Sequence, residues 1–440
     1  MHRRGVSYRR RDRGSAGHIP LIAGAVAILA ALAVPASAAA QSDRISADLQ
    51  SRRESTRISA VRALGGSADP DAPGLLAPAI LDLSNAVQLE AIDAVMTMVL
   101  APPPDSRTAK TVGSRTGTMA ADLFEAGPLA VLPRALPESI FLNLAASLRD
   151  DDPRVRGAAA AALGVLGGSQ AIGDELRGAL VNDFVYGMQQ PDAPTRAAIA
   201  RTAGVLFAMP DPGEPPAPIG DALIATMNDP DERVRIAAMD ALGWLRERRA
   251  AQALADRAVF YRKGDEALAA LHALSRVAQA RWGDVFRARL AAPDRAVRVV
   301  AIEGLGRMGD RESVSDINRM LQRESDPAVL LAGAFAFYRL GEPGNLDRII
   351  AGLTMPDTVR QARAYVTELC PDAAPRLEQH LQQPDPRVRQ AASEMLGLCG
   401  RRASQAALEI ASRDPDRAAA EAARQGLIRL RTLPAGVRLH

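Results

Sequence analysis

The chain has few aromatic residues: 8 Phe, 5 Tyr and 2 Trp among 440. A core without aromatic filler is built from Ala, Leu and Val, so its elements must approach closely, which favours helix on helix. Lysine is nearly absent, with only Lys110 and Lys263. Neither follows the glycines of a phosphate-binding loop, so that chemistry is excluded. Histidine is also scarce. His2 and His18 stand near the start and His440 is terminal, leaving His272 and His380 in the body of the chain. No H-E-x-x-H, His-Glu dipeptide or G-x-S-x-G occurs, so neither metal chemistry nor serine hydrolysis is expected. We expect no catalytic residues, no metal and no cofactor.

Positive charge is concentrated at the start. Residues 1–18 hold Arg3, Arg4, Arg9, Arg10, Arg11 and Arg13 against Asp12 alone. An uncharged stretch follows at 19–34, then PASAAAQ at 35–41. A basic segment, an apolar core and an A-x-A pattern predict a secretory signal peptide over 1–40. Cleavage after Ala38 or Ala40 fits, and we favour Ala40. An uncleaved membrane anchor at 19–34 is the lesser reading, because a span normally needs about 20 apolar residues. Removing 1–40 leaves 48 basic against 50 acidic residues, so the net charge moves from +3 to −2. Nothing in that balance suggests nucleic acid or an anionic membrane as partner.

What is present is repetition. DPRVRGAAAAALGVLG (152–167), DERVRIAAMDALGWLR (231–246), DRAVRVVAIEGLGRMG (294–309) and DPRVRQAASEMLGLCG (385–400) align without gaps. With Val155 as anchor, the equivalents are Thr56, Val87, Thr195, Val234, Glu266, Val297, Val329, Val359, Val388 and Ala418. Apolar residues at the anchor and four, eight and eleven positions later form one stripe of a helix. An Asp three before the anchor is an N-cap, often followed by Pro. Glycine twelve after it (Gly167, Gly309, Gly341, Gly400) should end the helix. A shorter apolar helix precedes each turn, as at 138–150 and 313–324. Hairpins of this size cannot bury both faces alone, so they must stack into a solenoid.

The third copy contains Gly304-Leu305-Gly306-Arg307-Met308-Gly309 after a β-branched run, the G-x-G-x-x-G of dinucleotide sites, with Asp326 about twenty residues on, where a ribose-binding acid would stand. Its context contradicts that reading. Gly306 shares a column with Gly164, Gly204, Gly243 and Gly397, where a side chain would obstruct close packing, and Asp326 caps the next repeat. Helix, not strand, is predicted.

The motif D-P-x-V-R-x-x-A-x-x-A-L-G resembles the HEAT repeat in its short bacterial form, the PBS-lyase HEAT-like repeat, over about 50–432. The resemblance implies an all-α solenoid, a right-handed superhelix of about eleven hairpins with the second helix of each on the inner curve. It also implies a polar ladder between repeats. The matching pairs are Asp152 with Arg156, Asp192 with Arg196, Asp231 with Arg235, Asp294 with Arg298, and Asp385 with Arg389. The ladder is broken at the 266 unit (Lys263, Ala267) and half-broken at Leu330.

The expected organisation is a signal peptide (1–40), first repeats (41–100), an inserted loop with a degenerate hairpin (101–137), and the main array with a capping repeat (138–440). A Pro-rich connection lies at 209–220. Cys370 and Cys399 share a core column. Equivalent residues on stacked helices stand about 8–10 Å apart, beyond disulfide reach, so buried free thiols are favoured over a bridge. The function expected is a non-catalytic exported scaffold in a bacterial periplasm, binding a protein along its concave face. Solvent-facing positions on second helices are the expected contacts: Arg154, Arg233, Asp240, Trp244, Glu303, Arg307, Arg387 and Glu394. The alternative is an accessory or lyase-like subunit acting on a cofactor-bearing protein. No small-molecule substrate is evident.

Overall fold

The computed structural model describes residues 43–101, 119–170, 172–208, 214–261, 263–370 and 372–432. The expected leader, the loop at 102–118, residues 209–213 of the Pro-rich connection and His440 lie outside them.

Helices account for nearly all the regular secondary structure described, and the single strand-like contact among these residues is an isolated bridge between Leu100 and Val131. No helix among them is long and apolar enough to cross a membrane. Every anchor falls in or at the start of a second helix: α2 (Glu54–Gly65), α4 (Asn85–Val99), α7 (Pro153–Ser169), α9 (Ala193–Leu206), α11 (Glu232–Trp244), α13 (Asp265–Val277), α15 (Arg295–Met308), α17 (Pro327–Arg339), α19 (Val359–Leu369), α21 (Pro386–Cys399) and α23 (Arg417–Thr432). The first helices between them are shorter than their partners, except α8: α1 (43–49), α3 (Ala72–Leu76), α6 (Glu138–Ala146), α8 (Asp174–Gly187), α10 (Ala217–Thr226), α12 (Ala251–Phe260), α14 (Gly283–Arg287), α16 (Val314–Leu321), α18 (Leu346–Ala351), α20 (Ala374–His380) and α22 (Gln405–Ala411). One helix stands outside the pairs, α5 (Met119–Ala126). The architecture is an all-α solenoid, and VRVVAIEGLGRM lies within α15.

The caps behave as their chemistry requires. The carboxylates of Asp152, Asp192, Asp231, Asp294, Asp326 and Asp385 each accept a backbone N–H two or three residues on. Gly309 and Gly400 end α15 and α21 at φ 68° and 64°, a region closed to most residues. Gly167 does not end its helix, since α7 continues to Ser169.

The glycine column nine after the anchor sets the spacing between second helices. A Cβ on Gly306 would lie 2.6 Å from the Ala336 backbone, and one on Gly204 2.8 Å from that of Ala241. Tyr338 and Glu368 occupy this column in α17 and α19, and α19 packs loosely against both neighbours. A groove of about 500 Å³ opens beside α17, lined by Leu321, Leu330, Phe337 and Met355 among others.

The ladder exists, with a different acid column from the expected one. Arg196 bonds Asp229 at 2.7 Å, Arg298 bonds Glu324 at 2.9–3.0 Å, and Arg389 bonds Asp414 at 2.7 Å. Each of these acids precedes the next cap by two residues and also accepts that cap's N–H. Of the expected ladder arginines only Arg156 reaches a cap, Asp192, and Arg235 pairs with Glu266. Each of these arginines also donates to two carbonyls of its own interhelix turn, for example Gln190 and Pro191 for Arg196. A single guanidinium thus ties its own turn to the next repeat, and five donors make that possible.

The cysteines are bonded to each other, Cys370 to Cys399, with Cα atoms 5.2 Å apart. The free-thiol expectation placed both within helices. Cys370 instead follows the end of α19 with extended backbone (ψ 144°), and the chain there has already turned toward α21.

Candidate functional site

Two columns of the second helices, six and ten residues after the anchor, line the inside of the curve. Arg307 in α15 bonds Glu368 in α19, two repeats away. Such a contact across α17 arises only on the inner side of a bent stack.

From α13 to α19 this face is filled by its own side chains. The Arg307 guanidinium, 5% exposed, donates to both Glu368 oxygens at 2.8–3.0 Å, to Glu303 at 3.0 Å and to Ser275 Oγ at 3.0 Å. The Tyr365 hydroxyl donates to Glu303 and accepts from Gln361 Nε2 at 2.6 Å. Beneath them Phe335 stacks on Tyr365 with ring centres 4.3 Å apart, and Arg307 lies over the Phe335 ring. Burial by itself lowers the Arg307 pKa, but Glu368 and Glu303 outweigh it and hold the cation. Burial opposes ionisation of Glu303 and Glu368 too, and Arg307 reverses that. Beside this cluster the His272 imidazole is pushed down to about 4 by burial, assisted by the Arg276 and Arg307 charges.

From α7 to α11 the face is covered differently. The inserted segment at 121–136 was expected to be a degenerate helical hairpin. It is one helix, a short 3₁₀ turn (Pro128–Ala130) and an extended run. Gly127 at φ 80°, with Pro128, Pro133 and Pro137 after it, prevents a second helix. This strap lies in the bore. The Phe124 ring sits 2.3 Å from where a Gly164 Cβ would stand. The extended run pairs with the end of α4, Ala101 N–H to Ala130 O at 2.9 Å and Leu132 N–H to Val99 O at 2.7 Å. Arg429 of α23, 1% exposed, donates to the carbonyls of Val131, Leu129 and Pro128 at 2.8–3.4 Å. The second repeat (α3–α4) and the last therefore meet through the strap.

Between strap and helices a cavity of about 320 Å³ remains, lined by Phe124, Glu125, Val165, Arg201, Val205, Asp240 and Trp244 among others. Trp244 is 40% exposed at its edge, with the Arg276 guanidinium 3.8 Å from its ring centre. Arg201 reaches Glu125 at 3.3 Å. Burial raises the Asp240 carboxyl to about 6, partly offset by Arg276 and Arg201.

Of the eight expected contact residues, the structure brings only Asp240 and Trp244 to this cavity. Arg154, Arg233 and Arg387 stand on the rim, each paired with the capping Asp of its own helix. Glu394 is mostly covered and pairs with Arg363. Glu303 and Arg307 were expected to face solvent and do not; the curvature buries them against α19. Sequence reasoning missed Phe124, Arg201, Tyr365, Glu368 and Arg429. Arg201 and Tyr365 share the column of Asp240 and Glu303, so that column was the available signal. Among the described residues, no group of three or more His, Cys, Asp or Glu is placed to hold a metal.

The HEAT-repeat family pattern matches residues 181–275 and 283–368. No curated protein matches the chain. Solved structures similar to it include an engineered protein, 17% identical, covering 89% of this chain and 99% of that one at a TM-score of 0.42. Another is the complex of CpcE and CpcF of phycocyanin lyase from Nostoc sp., 18% identical, covering 68% and 93% at a TM-score of 0.28.

Proposed function

We propose that this chain, a HEAT-repeat protein, is a non-catalytic exported scaffold that holds a protein partner at the open part of its inner face. The observation that carries this is the cavity beside Trp244, a half-exposed indole at the rim of an apolar recess. Indoles so placed dominate binding at protein interfaces. The recess combines apolar walls with Glu125, Arg201 and Asp240, a lining suited to holding a side chain of a partner. The rest of the bore offers little room, because the strap and the Arg307 cluster occupy it.

Export rests on the leader-like residues 1–40 and is supported by the Cys370–Cys399 bond, since disulfides persist in oxidising compartments such as the periplasm. Sequencing the secreted protein should find Gln41 first. A photo-crosslinking residue at Glu125, on the cavity's edge, should trap a specific protein in intact cells, identified by mass spectrometry of the periplasmic fraction. Capture equal to that from a rim position such as Arg387 would refute the proposed face.

A further inference from the structure

We infer that the cavity between the strap and α7, α9 and α11 receives a cationic side chain, lysine or arginine, from the partner. This rests on the scaffold reading and names the chemistry of its site.

The walls supply half of the match. Phe124, Val165, Val205 and Trp244 form an apolar sleeve suited to a methylene stem, and about 320 Å³ is ample for one long side chain. Charge supplies the other half. The lining carries Glu125 and Asp240 against Arg201, with Arg276 beside it on Trp244. Arg201 is engaged with Glu125, and Arg276 lies on the Trp244 ring. The Asp240 carboxylate accepts no hydrogen bond among the described residues, although the strap and neighbouring helices half-bury it. Its oxygens are open to the cavity and lack a protein donor, and an incoming ammonium or guanidinium supplies donors and charge together. Trp244 already holds one cation against its ring, as an indole quadrupole favours. An anionic group would meet Glu125 on the strap and Asp240 on α11.

The test uses the full chain carrying Trp282→Phe, so that Trp244 is the only tryptophan and is excited selectively at 295 nm. N-acetyl-arginine amide and N-acetyl-lysine amide are titrated at pH 7.5 beside N-acetyl-citrulline amide and N-acetyl-glutamate. Saturable changes are expected for the two cations, at least tenfold weaker for citrulline and absent for glutamate. Asp240→Asn should weaken the cations at least tenfold. Val205→Phe, which fills the recess and keeps every charge, should weaken them as well. Binding should also fade as pH falls through about 6, as Asp240 gains its proton among Arg201, Arg276 and Glu125. Citrulline binding as tightly as arginine, glutamate binding, or an Asp240→Asn protein with wild-type affinity would each overturn the inference. Crosslinking separates it from the scaffold reading. A partner captured equally by wild type and Asp240→Asn overturns the cation and leaves the scaffold. Cation binding with no partner captured does the reverse.

Discussion

Between α7 and α11 the inner face is covered by a separate piece of chain and keeps a cavity, whereas between α13 and α19 it is closed by its own side chains. The two regions share one repeat, although the capping Asp and the ladder Arg run through α7, α9 and α11 and are missing at α13. They differ in the size of what points inward. Ala161, Gly164 and Val165 leave room in α7 for Phe124 of the strap. Glu303, Arg307, Phe335 and Tyr365 fill the later stretch and meet across alternate repeats. A solenoid's bore is therefore open or shut according to the bulk of two columns, and the closed part is an unusual core made of charge.

That contrast is broken most severely by Arg307→Met. It leaves Glu303 and Glu368 buried without their cation, and losing one member of such a cluster costs about 3–5 kcal/mol. Urea unfolding at pH 7.5 should show it, and a loss under 1 kcal/mol would mean the cluster is solvated. Replacing all three together, with Glu303→Gln and Glu368→Gln added, should recover much of the loss. At the open end, Asp240→Asn removes a charge that has no hydrogen-bonded partner and should cost nothing.

The bonded cysteines come next. They join α19 to α21, where Glu368 replaces the glycine that elsewhere lets second helices touch. The bond therefore holds the looser joint. Changing both to Ser should lower stability by about 2–4 kcal/mol. Reductant should lower the wild type similarly and leave the double variant unchanged.

Arg429→Met tests whether the two ends meet in solution. The variant gives up charge-assisted bonds to three strap carbonyls, a loss of about 1.5–3 kcal/mol. Hydrogen exchange should quicken at 129–132 and along α23 together. Acceleration confined to α23 would show that the strap is held by α4 and α7 alone.

Much of this fold was legible in the sequence. The period, the capping Asp residues and the glycine column located the second helices and turned an apparent nucleotide motif into α15. The ladder's acids were legible too, as D-x-D around Asp229 and Asp414, but the cap drew the pairing two residues too far. The inner face was not legible. A helical stripe shows which residues share a side, and only the curvature of the stack shows whether that side faces water or another repeat. Arg307 and Trp244 hold the same column; one is buried in charge and the other stands at a cavity. The strap's place in the bore depends on contacts some 300 residues apart in sequence, such as Arg429 with Val131, which no local pattern encodes.

The smallest expected effect compares the two regions within one pH window. Asp240, raised to about 6 by burial against the pull of Arg276 and Arg201, takes up its proton in the folded chain before the unfolded one does. Its cost to folding is full above pH 6 and is relieved as pH falls toward 4. His272, lowered to about 4 by burial and by Arg276 and Arg307 against Glu303 and Glu368, does the opposite. The unfolded chain protonates first near 6.5, so stability is lost as pH falls from there toward 4. In the wild type these slopes oppose each other over the same interval. Asp240→Asn should therefore lose stability on acidification more steeply than wild type, and His272→Gln less steeply. Urea midpoints from pH 7.5 to 4.5, taken as differences from wild type, cancel the carboxylates common to all three proteins. Parallel profiles would mean that both groups are equally wet, and that the open and closed regions do not differ in the way the packing indicates.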